Sequence, residues 1–364
     1  MTIHRHLVKA VARVTALALA AAVGVAAAGG FDAYPDPGIV EATDLIGPAV
    51  AGYALLGQAA APTPTLLTEG LGELQGSTAG PDGALYVTAP LDGEIWRVDP
   101  DTGAATLFAS GLPALDPDPF HVGSGVVDVA FEGDTAYALV TSVDVEYGAE
   151  DYVKGIYRID GPDSHTVIAD IGRWSEANLP EAEYFIDSGF QFAIEAFRGG
   201  FLVTDGHHNR VLWVDHDGAI TELIAFDSIV PTGMSIVGES IYVAQAGPIP
   251  HEPENGKVVV FDYGSSTATQ VAAGARLVLD VEFGPGDTIL ALSQGDWEGE
   301  FDGAPALPDT GSLVRADGDG GFQVLAAGLD RPTSLEVVDD TAYVATIDGE
   351  VWTIAGVSGA LAGQ

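Results

Sequence analysis

Gly80-Pro81-Asp82-Gly83, Ala84-Leu85-Tyr86-Val87, Glu94-Ile95-Trp96-Arg97-Val98-Asp99, Pro100-Asp101-Thr102-Gly103 and Ala105-Thr106-Leu107-Phe108 follow one another in a single short stretch. Alternating apolar and polar residues divided by Asp-Gly turns predict four short antiparallel strands in a meander. The same order recurs down the chain. Tyr137, Leu202, Tyr242, Leu290 and Tyr343 take the place of Tyr86, each after a tight turn. Their separations of roughly 40 to 65 residues match the blade period of a propeller once loop insertions are allowed for. Third strands are expected at Gly155–Asp160, Arg210–Asp215, Lys257–Asp262, Ser312–Ala316 and Glu350–Ile354.

Six units can be counted, and the sixth stops after Val351-Trp352-Thr353-Ile354 without a fourth strand. Its missing strand is found at the other end. Thr65-Leu66-Leu67-Thr68-Glu69-Gly70-Leu71 reads like Thr106-Leu107-Phe108-Ala109-Ser110-Gly111-Leu112 and Gln323-Val324-Leu325-Ala326-Ala327-Gly328-Leu329. An N-terminal strand completing the last blade would close the ring and remove its open edge. The expected fold is an all-β, six-bladed β-propeller over residues 64–357, with a tail at 358–364; a seven-bladed ring and a β-sandwich are the alternatives.

Residues 1–28 read as a segment outside that fold. His4, Arg5, His6, Lys9 and Arg13 precede an apolar run from Val14 to Ala28 that ends in Ala26-Ala27-Ala28. A charged n-region, an apolar h-region and a small-residue cleavage site make a secretory signal peptide. The run is shorter than the roughly 20 residues of a membrane span. The chain is therefore expected to be secreted or extracytoplasmic, and not an integral membrane protein after cleavage. Residues 29–63, rich in Ala, Gly and Pro with scattered acids, are expected to be a linker carrying a short helix near Val50–Leu56.

The 364 residues hold 13 Lys+Arg against 53 Asp+Glu, a net charge of −40. Such acidity repels phosphate backbones and anionic lipid and excludes nucleic acid as a partner. With 47% hydrophobic residues the chain has ample material for a core, unlike a disordered acidic chain. It has no Cys, which excludes disulfides, thiolate metal sites and a thiol nucleophile. Loss of residues 1–28 removes three basic residues and no acid, leaving Lys154 and Lys257 as the only lysines. That balance is expected of a protein in a saline or divalent-rich exterior.

Loop lengths single out one face. In a four-stranded blade the turns between strands one and two and between strands three and four share a face, and here they are all tight. The second-to-third loops and the connections between blades share the other face, where every long insertion falls: Pro113–Gly123, Thr141–Lys154, Gly172–Asp187, Ala246–Gly256 and Ser293–Gly311. A rigid scaffold with its variable loops on one side is the layout of a binding or catalytic surface. The loops interleave carboxylates with aromatics, among them Asp116, His121, Glu146, Tyr152, Trp174, Tyr184, Glu252 and Trp297. That mixture suits a divalent cation, a cationic ligand or a planar aromatic partner, or simply forms a solvated acidic rim.

Four stretches carry a family resemblance. Asp170-Ile171-Gly172-Arg173-Trp174-Ser175-Glu176-Ala177-Asn178, Ile186-Asp187-Ser188-Gly189, Val203-Thr204-Asp205-Gly206-His207-His208-Asn209-Arg210-Val211-Leu212-Trp213-Val214-Asp215 and Val230-Pro231-Thr232-Gly233 resemble the ScyD/ScyE family of secreted propellers. The similarity spans roughly residues 64–356. It implies a propeller fold and an exported location more firmly than any reaction. Thr204–Val211 also resembles an NHL repeat. Where members typically carry Asp-Ser-Asn-Pro, this chain has Asp187-Ser188-Gly189-Phe190, so an asparagine contact cannot be carried over.

The blade grammar also resembles gluconolactonase-like propellers, a resemblance that implies a divalent metal held by Glu, Asn and Asp at the tops of inner strands. Leu71-Gly72-Glu73 looks like their opening Leu-Gly-Glu. Aligning inner strands sets Glu73 beside Gly125, Gly189, Val230, Leu277 and Arg331. One carboxylate in that company cannot satisfy a hard cation such as calcium, which takes six to eight oxygens, unless Asp187 or Asp205 leans in. Glu73 is expected instead to pair with Arg331. Two residues further on, the same alignment gives Gln75, Val127, Gln191, Thr232, Leu279 and Thr333, a channel wall with uncharged polar groups on four blades that holds a neutral ligand or water. His207 and His208 are expected to point to opposite sides and not to share a metal. Asp205 and Asn209 are expected to shape their turn. With Asp187 nearby, His207 or His208 could serve as a general base, yet no Gly-x-Ser-x-Gly elbow accompanies them. Asp99–Gly103 and Asp317–Gly320 look like calcium loops but lack the remaining acids and read as hairpin turns.

Two functions of different class follow. The first is a non-enzymatic exported propeller that binds a small molecule, an envelope component or a protein through its long-loop face. The second is a metal-dependent lactonase or hydrolase on the same scaffold. The candidate ligand-contacting residues are Glu73, Gln75, Asp187, Gln191, Asp205, His207, Asn209, Thr232 and Thr333.

Overall fold

The computed structural model describes residues 62–114, 125–142, 152–181, 184, 186–299 and 304–359. The expected signal peptide, the linker as far as residue 61 with its short helix, Asp116, His121, Glu146 and parts of four long loops lie outside them.

The chain forms six four-stranded antiparallel sheets. Blade 1 consists of Ser77–Ala79, Leu85–Ala89, Glu94–Val98 and Ala105–Ala109; blade 2 of Gly125–Glu132, Thr135–Thr141, Gly155–Gly161 and Ser164–Asp170; blade 3 of Gln191–Ala196, Gly200–Asp205, Arg210–Asp215 and Ile220–Ala225. Blade 4 is Pro231–Val237, Ser240–Gln245, Lys257–Asp262 and Thr269–Ala273, and blade 5 is Val278–Gly284, Thr288–Ser293, Gly311–Ala316 and Phe322–Leu329. In blade 6, Pro332–Val338, Thr341–Thr346 and Glu350–Ala355 are joined by Thr65–Glu69 on their outer edge, with Thr65 opposite Thr353 and Glu69 opposite Glu350. Inner strands pack consecutively around a ring, blade 6 against blade 1 included.

Second strands are sandwiched between neighbouring blades, and those of blades 1 and 3 are buried at every residue. Outer strands are more exposed, as in Ala105–Ala109, where only Ala109 is buried. Apolar side chains collect in clusters between blades rather than in one centre, so that each blade is glued to the next. The recurring tyrosine has this task. Tyr86 meets Phe131 of the next blade at 4.7 Å, Tyr137 meets Phe201 at 4.5 Å and Tyr242 meets Phe283 at 4.8 Å, contacts that add to burial in holding the blades together.

The hairpin turns at Asp99 and Asp317 are Asx-type. Asp99 Oδ1 accepts from the Asp101 and Thr102 amides and the Thr102 hydroxyl, and Asp317 Oδ1 from the Asp319 and Gly321 amides. Those oxygens are spent on the turn. The stretch after Asp170, read from sequence as a loop, contains a helix, Ile171–Ala177, capped where the Asp170 side chain accepts from the Arg173 amide at 2.9 Å. No helix among the described residues is long and apolar enough to cross a membrane.

Candidate functional site

The inner strands carry a kink in register. A left-handed residue precedes or opens each of five of them: Gly125, Gly189, Val230, Leu277 and Arg331, with φ of 102°, 69°, 54°, 44° and 42°. A register shift follows in all five. The column aligned with Glu73 is therefore a backbone feature, and in blade 1 it is Gly72, not Glu73, that has positive φ. Val230 is β-branched, and a positive φ there is strained. The strain is held by Asn209, itself at φ 55°, whose Oδ1 accepts from the Ile229 and Val230 amides at 2.9 Å each. Asn209 is thus a bracket between blades 3 and 4.

The kink corrects one alignment. Phe190 is an extra residue in blade 3, so Gln191 stands opposite Asp205 just as Pro231 stands opposite Gln245 and Pro332 opposite Thr346. Phe192, not Gln191, is the counterpart of Thr232 and Thr333. Gln191 is fully buried and bonded to Thr141 Oγ1 and the Ser188 carbonyl. The polar wall is reduced to Gln75, Thr232 and Thr333, and Thr232 donates to the Val278 carbonyl of the next blade.

A second correction concerns Arg331. It pairs with Asp330 at 2.8 Å and with Asp348, not with Glu73. Glu73 is half-buried beside them, and burial, with Asp348 and Asp92 opposing Arg331, raises its carboxyl above the usual range.

The centre of the ring holds acids that sequence reasoning did not single out. Opposite the repeat markers Leu202, Leu290 and Tyr343 stand Glu195, Glu282 and Glu336. At the kink positions of blades 2 and 5 stand Asp128 and Asp280. These five carboxyl groups line one cavity together with Gln75, Ser77 and Thr333, and its lining includes no Lys, Arg or His. The centre of a water molecule has ≈ 20 Å³ to occupy there, enough for water and far too little for a sugar.

Asp128 and Asp280 are equivalent staples half a ring apart. Asp128 accepts from the Val129 amide and, across to blade 3, from the Ile194 amide at 2.8 Å. Asp280 accepts from the Val281 amide and, across to blade 6, from the Leu335 amide at 2.8 Å. Behind each carboxyl is a glycine of the preceding blade. A Cβ at Gly76 would lie 2.4 Å from Asp128 Oδ1, and one at Gly233 would lie 2.1 Å from Asp280 Oδ1. Each aspartate therefore ties three blades together, and close approach is why those two positions are glycine. Burial pushes the Asp128 and Glu195 carboxyls well up. Burial likewise takes Asp280 to about 7, and burial with the Asp280 charge takes Glu282 to about 8.

A second buried network fills blade 3. Arg210 is 1% exposed and Asp205 0%, with Nε to Oδ2 at 3.1 Å. The guanidinium also donates to the Asn178 carbonyl at 2.8 Å, Ser175 Oγ at 3.1 Å, His208 Nδ1 at 2.8 Å and Glu222 at 3.2 Å, and stacks on Trp174 at 4.9 Å. His208 Nε2 meets the Ile186 carbonyl at 2.8 Å, which requires the proton on Nε2 and leaves Nδ1 to accept. Asp205 Oδ1 accepts from the Phe190 amide. The network clamps the Ile171–Ala177 helix and the 186–190 segment onto the blade. His207 lies against Phe190 at 5.1 Å, and burial lowers it to about 4, so it is neutral at pH 7. Lys154, buried beside Ser188, bonds its hydroxyl. Asp187 is exposed.

The nine candidates are thus scattered. Gln75 and Thr333 reach the cavity, whereas Asp205, Asn209, Gln191 and Thr232 are committed to internal bonds. Among the described residues no three His, Asp or Glu side chains converge to hold a metal ion. Glu73, Asp187 and Asp205 do not form a calcium cradle.

The long loops fall on the face expected. Turns between first and second strands are two to five residues long, while 246–256 and 294–310 join second to third strands. Over blades 4 and 5, His251 meets Trp297 edge-on at 5.2 Å, and Trp297, like Phe192 and Val230, packs against the cluster of Ala246, Leu277, Leu279 and Ala306.

No family model matches the chain, and no curated protein matches it. Solved structures do. A gluconolactonase from Xanthomonas campestris is 10% identical, with 80% of this chain and 89% of that one covered at a TM-score of 0.55. A PQQ-bound aldose sugar dehydrogenase from Streptomyces coelicolor is 13% identical over 82% of this chain and 99% of its own, at 0.56. The soluble aldose sugar dehydrogenase of Escherichia coli is 13% identical over 80% and 99%, at 0.54. At such identities the likeness is one of fold, and the chain is a six-bladed β-propeller.

Proposed function

We propose that this chain is an exported binding propeller of the ScyD/ScyE type that takes a small molecule, an envelope component or a protein on its long-loop face. The observation that carries this reading is the one-sidedness of the loops: tight turns on one face, long segments with Trp174, His251 and Trp297 on the other. Commitment of Asp205, Asn209 and Arg210 to holding blade 3 together also favours binding over chemistry, since a catalytic group needs polar atoms free to meet a substrate. The test compares capture of envelope extract by the intact protein and by a variant whose 296–309 loop is replaced by a short Gly-Ser turn. Loss of the captured species on shortening is expected; identical capture would overturn the face assignment.

A second reading, a metal-dependent lactonase, is favoured by the sugar-lactone and sugar chemistry of the fold neighbours. It requires Glu73 to gain oxygen partners that the surrounding residues do not supply.

A further inference from the structure

The five carboxyl groups in the centre of the ring have no role in the proposed binding face. Blades 2, 3, 5 and 6 contribute Asp128, Glu195, Asp280, Glu282 and Glu336; blades 1 and 4 contribute no titratable group. Ser77 of blade 1 bonds Ser334 of blade 6 at 2.8 Å, and Ser235 of blade 4 donates to Glu282 at 3.2 Å. Carboxylates crowded around one small cavity without a counter-charge resist ionising together, because each charge placed there repels the others. Two of the five are also the staples whose oxygens hold the Ile194 and Leu335 amides of the next blade.

We infer that this cluster is a proton-controlled latch on the ring, shut while the cluster keeps its protons and slackened as it ionises. The sign follows from linkage. Carboxyls held above their ordinary range bind more protons folded than unfolded, so their contribution is full below about pH 4 and is lost as pH rises through the folded values. For Asp280 and Glu282 those are about 7 and about 8. Within that window each proton released on opening makes opening about tenfold easier per pH unit. The sites of opening are the junctions of blades 2 with 3 and 5 with 6.

Hydrogen exchange at the Ile194 and Leu335 amides, corrected for the intrinsic pH dependence of exchange, tests this at about pH 5 and about pH 8.5 in low salt. The wild type is expected to lose protection there at least about tenfold more than at the outer-strand amides of Thr221 and Gln270. The double variant Glu195→Gln, Glu336→Gln, whose two side chains make no staple, removes two of the five ionising groups and is expected to lose less protection than the wild type between the two pH values. Equal protection of the wild type at both pH values, or a variant that loosens as much as the wild type, would overturn the proposal. If the variant does not fold, the infrared band of protonated carboxyl groups in the wild type decides. Its presence at neutral pH and loss in alkaline buffer support the latch, and its absence at neutral pH refutes it.

Discussion

Replacing Arg210 by Met removes the cation at the centre of blade 3 while keeping most of its aliphatic volume. Arg210 and Asp205 are 1% and 0% exposed, so Asp205 would be left as a buried charge supported only by the Phe190 amide and the Ser175 hydroxyl, with the unprotonated Nδ1 of His208 facing it. Breaking a buried pair from one side costs about 3–5 kcal/mol. The outer end of the network contributes little to that figure, since Glu222 is 42% exposed and exposed pairs are worth about 0–1 kcal/mol. With an unfolding entropy of about 2.1 cal/mol/K per residue over roughly 290 residues, the loss corresponds to a Tm fall of roughly 5–8 °C. Thermal unfolding by circular dichroism at neutral pH, with Glu222→Gln measured alongside, provides the comparison. Arg210→Met is expected to fall by that amount and Glu222→Gln by less than about 2 °C. Because the network docks the Ile171–Ala177 helix, protease sensitivity at 171–181 should rise in Arg210→Met alone. An Arg210→Met protein as stable as the wild type would refute the claim that this network holds blade 3.

Further predictions concern the staples and the bracket. Gly233→Ala puts a methyl group 2.1 Å from Asp280 Oδ1 and 2.8 Å from the Leu279 carbonyl, and should destabilise by about 1–3 kcal/mol in urea unfolding. Gly284→Ala, whose Cβ meets Leu290 at 3.3 Å, should cost less, and equal losses would remove the close-approach argument. Asn209→Ala strands the Ile229 and Val230 amides and leaves a left-handed alanine, a loss of about 2–4 kcal/mol. Asn209→Gly should recover only the backbone part of that loss, and full recovery would show that the two amide bonds contribute nothing. Trp297→Ala should expose the apolar cluster over blades 4 and 5 and cost about 3 kcal/mol, read as a lower urea midpoint; an unchanged midpoint would show that the cluster is not a packed one.

The fold was legible because its signals are local and repeated. A tight turn, the Tyr86-type residue and a third strand recur in each blade, and Tyr86, Tyr137 and Tyr242 recur because each packs on a phenylalanine of the next blade. The central acids were not legible, for two reasons. Asp128 and Asp280 sit in kinks, where the period of two that assigns faces is broken. Their partners Gly76, Ile194, Gly233 and Leu335 belong to other blades, so no spacing within one repeat links them. Glu195, Glu282 and Glu336 had a usable signal: each stands opposite a repeat marker already in hand. The misplacement of Gln191 has the same origin, since Phe190 lengthens only one of the blade connections. The expected pair of Glu73 with Arg331 failed because Asp330 and Asp348 lie closer to the guanidinium.

Whether the ring binds or catalyses turns on metal at Glu73. The most direct measurement is hydrolysis of glucono-1,5-lactone by the purified protein with calcium, zinc or manganese, read together with Tm over the same titration. A specific metal site at a hundredfold excess over Kd would add about 2.7 kcal/mol of stability. The binding account predicts hydrolysis at the uncatalysed rate, no saturable rise in Tm, and no difference between the wild type and Glu73→Ala. Metal-dependent hydrolysis and a saturable Tm rise, both abolished in Glu73→Ala, would contradict it.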